Sequence, residues 1–300
     1  MKQKKYLASL MALVIVTSSC VDLEHINSFS KTSVHTIAAY KDAGYSYTYS
    51  YFHFTQTSGI YNAGNASPKK VTTPSLVFLD NEPKTAMAAD AVINVFMTGI
   101  SAYFSGISKI SDQDLVNFNF DDIGKNLRAD KTLKAKLNLT DDKNGDEKIA
   151  ALTKISGIFT TEMAGAYRRK RVKEIMIKYD GALALSIDAL TEMLDNCLLR
   201  ALVSDAGLID SKYSILADPD LEYSKKIDLM RECLNEKLQL EKSRQQIVKI
   251  SEGLKKMKEG HHAVAEKLKT ATITSKEAIV FVRKYAAEVY EISNTIKSIQ

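Results

Sequence analysis

The chain has 300 residues, 45% of them hydrophobic, with 41 basic and 36 acidic side chains and a formal net charge of +5. A chain of this length buries a sizeable core in one or two domains. Its modest charge does not support nucleic-acid binding, which usually produces a strongly basic face. Four prolines and no tryptophan, together with abundant Ala, Leu, Lys and Glu, favour an all-α protein.

The first 20 residues combine a basic head, a short apolar stretch and a run of small residues that ends at a cysteine. Three lysines precede the apolar run 7–16, and Thr17-Ser18-Ser19-Cys20 follows it. The apolar run is shorter than the roughly 20 residues that a membrane-spanning helix needs, but it fits a cleavable signal. This order resembles the signal peptide and lipobox of bacterial lipoproteins, although Thr17 stands where leucine is usual.

The resemblance implies a covalent lipid on Cys20. Its thiol would receive a diacylglycerol, and cleavage before it would make Cys20 the first residue of the mature chain. We therefore expect a signal peptide over 1–19, a polar lipidated tether over 20–32 and one helical domain over 33–300. Membrane lipid, reached through acylated Cys20, is then the first expected partner.

The residue after the cysteine bears on location. Val21 stands where enteric lipoproteins of the inner membrane carry aspartate, so the outer membrane is expected in a cell with two membranes, with the leaflet left open. Loss of the signal peptide removes three lysines and lowers the formal charge from +5 to +2. Most of the net basic charge therefore belongs to the signal peptide.

Residues 36–54 carry an aromatic pattern that fits two structures. Tyr45, Tyr47, Tyr49 and Tyr51 alternate as in a strand, yet the same region also forms an apolar helical stripe. Because no partner strand is evident nearby, we predict a helix whose aromatic side chains pack in a bundle, with a glycan or membrane surface as the alternative. The Gly- and Asn-rich segment 59–74 then predicts a loop.

The apolar segment 75–110 includes an uncharged stretch, 91–108, that is long enough for a membrane-spanning helix to be considered. Several Ser, Thr and Asn residues dilute its hydrophobicity, so we predict a central helix buried in the bundle. Its small residues Gly99, Ala102 and Gly106 allow close contact with a neighbouring helix or with a membrane.

The acidic run 141–146 does not complete an EF-hand calcium loop. With Gly145 at loop position six, Thr140 stands at position one and Ala151 at position twelve, where Asp and Glu are required. We predict a turn there, followed by one very long helix over 148–204 with a continuous apolar stripe and a basic flank at 168–173. Gly157, Gly165 and Gly181 are the candidate positions for a break in this helix.

The chain contains two further cysteines, and the sequence leaves open whether they form a disulfide. Cys197 and Cys233 fall on apolar helix faces, and an oxidising compartment permits a disulfide between them. Two buried free thiols are the alternative, because spacing alone does not show whether the two side chains meet.

The C-terminal third predicts two paired helices. Asp218 as N-cap and Pro219 at the first helical position predict the start of a helix that runs to about Lys269 with three-four apolar spacing. Thr274 and Glu277 then form a capping box for a last helix. The short connection predicts an antiparallel, coiled-coil-like pair.

The sequence contains no recognisable catalytic motif. His261 lies in the apolar register and predicts a core histidine, while His262 points elsewhere and Glu266 follows it by four residues. No further cysteine, histidine or carboxylate completes a recognisable metal set, so we expect neither a metal nor another cofactor. No phosphate-binding loop, nucleophile elbow or zinc-protease motif occurs.

The sequence therefore predicts an all-α, elongated antiparallel bundle of about five long helices with a coiled-coil-like C-terminal half. The expected function is a non-enzymatic, lipid-anchored envelope protein that scaffolds or binds an unidentified envelope protein. The first alternative is a membrane-active protein resembling α-helical pore-forming toxins, with 91–108 as the inserting segment. The second is a carrier of an apolar ligand.

Overall fold

The computed structural model describes residues 21–65, 82–112, 143–156, 168–270 and 276–299. These residues are helical apart from short turns and contain no strand, which confirms the all-α class. The predicted lipidation residue Cys20, the predicted turn residue Thr140, the glycines Gly157 and Gly165, and the predicted capping residue Thr274 lie outside the described residues.

The described part of the chain contains eight α-helices joined in two places by 3-10 turns and in one place by a π-helical segment. In chain order they are α1 (Val21–Ala38), α2 (Tyr47–Asn65), α3 (Glu82–Ser111), α4 (Lys143–Ser156), α5 (Arg168–Glu192), α6 (Leu199–Tyr213), α7 (Tyr223–Thr270) and α8 (Lys276–Ile299). The 3-10 turns span Ala39–Ala43 and Ser214–Ala217, and the π segment spans Met193–Leu198.

Helix α7 is the spine of the bundle. It has 48 residues, and α1, α5, α6 and α8 all pack against it. The predicted apolar seam is confirmed, because its members are buried along the length of the helix: Cys233, Leu240, Ile247, Ile250, Leu254, Met257, Val264 and Leu268. Burial of this seam is the main apolar contribution of α7 to the core.

Two glycines let neighbouring helices approach α7 closely. A Cβ atom on Gly253 would lie 2.7 Å from Thr36 of α1, and one on Gly260 would lie 2.7 Å from the Tyr285 Cβ of α8. Since Gly253 also faces Ile292 while Gly260 faces Tyr285, α7 and α8 run antiparallel, as the short connection between them predicts.

Helices α5 and α6 are joined through the π segment into one continuous helical rod, and Gly181 does not interrupt it. A π turn adds one residue and shifts the buried face. The apolar stripe therefore passes from Leu194 to Leu198 and Leu202, all buried. The sequence places Cys197 on that stripe with α-helical spacing, but in the structure Cys197 is exposed.

Helix α1 corrects the predicted polar tether over 20–32. Residues from Val21 onward are helical, with Ile26 and Phe29 fully buried in the core and Leu23 packed against it. Three apolar side chains within seven residues give this helix a buried face, which the polar residues between them conceal in the sequence. The helical domain therefore includes residues 21–32.

The helix predicted over 36–54 is confirmed, with one break. Gly44 adopts φ +64°, a left-handed conformation that favours glycine, and it separates the 3-10 turn from α2. Backbone amides of Tyr47 and Thr48 donate to the Asp90 carboxylate at 2.8 and 2.9 Å, which satisfies the free N–H groups of the first turn. The predicted loop over 59–74 is wrong for 59–65, which continues α2.

Helix α3 contains the uncharged stretch. Residues Ala86–Ser111 are long and apolar enough to cross a membrane, yet 67% of the most hydrophobic window is buried inside the protein. Gly99, Ala102 and Gly106 all lie on buried positions, and a Cβ on Gly99 would lie 2.5 Å from Leu152 of α4. Gly99 therefore packs closely against a neighbouring helix in this fold, whereas the membrane-insertion alternative stays a prediction.

The predicted start of α7 is wrong by several residues. Asp218 and Pro219 lie in a turn, where the Asp220 amide donates to the Asp218 carboxylate at 2.9 Å, and the helix begins at Tyr223. The local Asx turn competes with helix capping, which is a known alternative for this residue type. The predicted end near Lys269 is confirmed by Thr270.

We expect Gly260→Ala to destabilise the fold by about 1–3 kcal/mol, because the added methyl overlaps the Tyr285 side chain. Gly207→Ala is the matched control, since nothing lies within 4 Å of its Cβ position and alanine favours a helix over glycine by about 1 kcal/mol. Urea unfolding followed by circular dichroism measures both. Equal midpoints for the two variants would contradict the close approach of α7 and α8.

Candidate functional site

A chain of polar side chains runs from the core of the bundle to its surface. It starts at Tyr103 of α3, continues through His261 of α7 and Asp180 of α5, and ends at His262 of α7. Tyr103 and His261 are almost completely buried, whereas 61% of the His262 side chain is exposed. Three helices therefore meet through one hydrogen-bonded path.

The geometry assigns the donors and acceptors. The Asp180 carboxylate lies 2.8 Å from His261 Nδ1 and 2.6 Å from His262 Nδ1, one histidine on each of its oxygens. An ionised carboxylate only accepts, so both Nδ1 atoms carry protons. When His261 is neutral, its Nε2 accepts from the Tyr103 hydroxyl, which lies 2.6 Å away. Both nitrogens of the buried imidazole are thus satisfied.

Two pKa shifts keep this chain in a defined protonation state. Partial burial raises the pKa of the Asp180 carboxyl, but the hydrogen bonds and charges of His261 and His262 outweigh that effect and lower it. Burial, with the nearby Asp180 charge, raises the pKa of the Tyr103 hydroxyl well above its usual value. Asp180 is therefore an anion and Tyr103 a neutral hydroxyl over the physiological range.

Glu266 completes a group of ligand-type atoms at the outer end of this chain. Asp180, His262 and Glu266 each offer one oxygen or nitrogen, and these three atoms lie within 4.8 Å of one another. His262 and Glu266 are four residues apart on α7 and so share a face of that helix. Glu266 is half exposed and forms an ion pair with Lys269.

The sequence identifies three of these side chains and misses two. His261 is a core histidine as predicted, and His262 faces outward as predicted. Asp180 and Tyr103 are the missing members, supplied by helices remote in sequence. A signal for Asp180 exists, because it stands four residues after buried Met176 and three before buried Leu183. An ionisable side chain in such an apolar register needs a partner.

A second buried polar cluster joins α2, α6 and α7. The Tyr45 hydroxyl donates to Asp205 at 2.7 Å, and Lys212 Nζ donates to Glu236 at 3.0 Å. The His53 ring lies between the two acids, 3.6 Å from Asp205 and 3.9 Å from Glu236. These contacts connect the first half of α2 with α6 and α7.

The remaining predicted side chains do not meet at this site. Both Cys197 and Cys233 are free thiols, Cys197 exposed and Cys233 buried. Cys197 interacts with Tyr47 of α2, whereas Cys233 lies near Lys212 of α6. Burial raises the pKa of the Cys233 thiol, which makes that thiol a poor nucleophile at neutral pH.

Comparisons with family models, curated proteins and solved structures found no match for this chain. The interpretation of the site therefore rests on its own geometry and chemistry.

We expect Tyr103→Phe to destabilise the protein by about 1–3 kcal/mol, because it leaves His261 Nε2 buried without a donor. Tyr290→Phe is the control, since 58% of Tyr290 is exposed and water replaces any contact of its hydroxyl. Thermal or urea unfolding compares the two variants. A Tyr103→Phe protein as stable as the control would show that the hydroxyl does not stabilise His261.

Proposed function

We propose that this chain is a non-enzymatic envelope lipoprotein that is anchored through acylated Cys20 and presents a protein-binding surface away from the membrane. The observation that carries the proposal is the placement of two features at opposite ends of the bundle. One is the start of α1, next to Cys20. The other is a group of exposed apolar side chains on the N-terminal part of α7.

The start of α1 supports a rigid attachment. Only two residues separate Cys20 from Leu23, which packs against the core, and Ile26 is fully buried. A lipid on Cys20 would thus hold the bundle directly at the bilayer without a long tether. Two or three acyl chains, each adding about 0.8 kcal/mol per buried methylene, give a far firmer anchor than one chain.

The apolar group lies on the N-terminal part of α7. We call it the distal apolar surface; its members are Tyr223, Met230, Leu234 and Leu238, all exposed. The α7 members stand on the helix side opposite Cys233 and Glu236, which face α6 and α2. An exposed apolar stripe of this kind is typical of a helix that binds another protein.

The separation of the two features follows from contacts along α7. His25, near the start of α1, accepts from Arg283 of α8, and the neighbouring Tyr285 faces Gly260 of α7. Beyond the C-terminal end of α1, Gly44 lies beside Gln239, in the N-terminal half of α7. From residue 260 to residue 238 a helix rises about 33 Å. The distal apolar surface would therefore stand well clear of the bilayer.

We expect Cys20→Ala to release the protein from the membrane fraction without unfolding it, because the change removes the proposed lipid attachment and leaves the buried side chains of α1 unaltered. Mass spectrometry of the wild-type chain should show an amino-terminal peptide that begins at an acylated Cys20. Cys197→Ala, at an exposed thiol, is the control and should stay membrane-bound. An unmodified Cys20 in wild-type protein would contradict the anchor.

We expect a photo-crosslinking residue at position 234 to capture a discrete partner in the cell that produces the protein. The same residue at position 280 is the control, since Val280 is equally exposed but lies on α8, outside the distal apolar surface. Leu238→Asp should abolish the product at 234 while the circular dichroism spectrum and membrane fraction stay unchanged. Equal labelling at 234 and 280, or a product that survives Leu238→Asp, would contradict partner binding at this surface.

A further inference from the structure

The outer end of the buried polar chain has the composition of a transition-metal site. One imidazole and two carboxylates, from His262, Asp180 and Glu266, bring their ligand atoms within 4.8 Å of one another. Imidazole suits zinc, copper, iron and nickel, and carboxylates complete such sites. Ligands from α5 and α7 together would join two antiparallel helices.

The surroundings of Asp180 distinguish this group from a chance surface cluster. One carboxylate oxygen accepts from His261, whose other nitrogen accepts from the fully buried Tyr103. This arrangement holds the carboxylate and directs its second oxygen toward His262. Metal ligands are commonly oriented by such outer hydrogen bonds, which fix their geometry and raise affinity.

The positions of the other two ligands fit the same cation. His262 and Glu266 are one helical turn apart on α7, so both side chains reach the same side of the helix. The ion pair between Glu266 and Lys269 is exposed, and exposed ion pairs contribute little to stability, so Glu266 is able to turn toward the cation. Two carboxylates also balance the charge of a divalent ion.

We propose that Asp180, His262 and Glu266 bind one divalent transition-metal ion of the Zn²⁺ class between α5 and α7. The ion would take His262 Nδ1 and one oxygen from each carboxylate; the Nδ1 proton would pass to solvent, and a proton on the exposed Nε2 would keep the imidazole neutral. Three protein ligands leave the fourth tetrahedral position to water or to an external ligand, as in open zinc sites. Because His262 and Glu266 are exposed, the ion reaches the site from solvent without opening the core.

The test is a zinc titration of the full chain, purified without a histidine tag in detergent, against a competing fluorescent chelator. We expect one bound Zn²⁺ per chain, at least tenfold weaker binding in Glu266→Gln, and loss of binding in His262→Ala. Since both side chains are exposed, the variants should keep the circular dichroism spectrum of the wild type. The control variants are His35→Ala on α1 and Glu259→Gln on α7, both at exposed positions outside the group.

A second readout separates site binding from non-specific surface binding. Zn²⁺ that binds only the native state raises the thermal midpoint, and His262→Ala should remove that rise while Glu259→Gln keeps it. Co²⁺ should give visible absorption bands that depend on His262. The proposal is overturned if wild-type protein binds no Zn²⁺ or if His262→Ala binds Zn²⁺ as tightly as wild type. It is also overturned if both control substitutions weaken binding as much as Glu266→Gln does.

Discussion

Burial of one face of α7 is the constraint on which the rest of this structure depends. A 48-residue helix is about 72 Å long, and most of the stability of a helix in a folded protein comes from packing of its apolar face rather than from propensity. Its seam must therefore be covered by other helices along its length. Gly253 and Gly260, two turns apart, remove the side chains that would otherwise hold α1 and α8 away. The close approach of α1 and α8 to the α7 backbone thus occurs along the same part of α7 whose apolar side chains are buried.

That constraint also explains why polar groups occur inside the bundle at all. His261 stands on the buried face of α7, where an unpaired imidazole would destabilise the core. It is stable there because Tyr103 and Asp180 satisfy both of its nitrogens. The same pairing orients the Asp180 oxygen that faces His262, so a requirement of the core determines the geometry of a surface group.

Helix α1 links the fold to the proposed anchor. Its buried side chains make the first residues after Cys20 part of the core, so a lipid there would attach to the rigid body of the protein. The orientation of the bundle relative to a membrane would then be restricted. Such a restriction suits a protein that presents a binding surface at its far end.

The sequence by itself determined the helical class, the seam of α7, the antiparallel α7–α8 pair and the core position of His261. These follow from local periodicity, which a helix converts directly into a buried face. The tertiary structure alone decided that α1 belongs to the core, that the π segment moves Cys197 to the surface, and that Asp180 and Tyr103 meet His261 and His262. Each of these depends on contacts between helices far apart in sequence, or on one added residue in a helical turn, and periodicity within one helix carries no information about either.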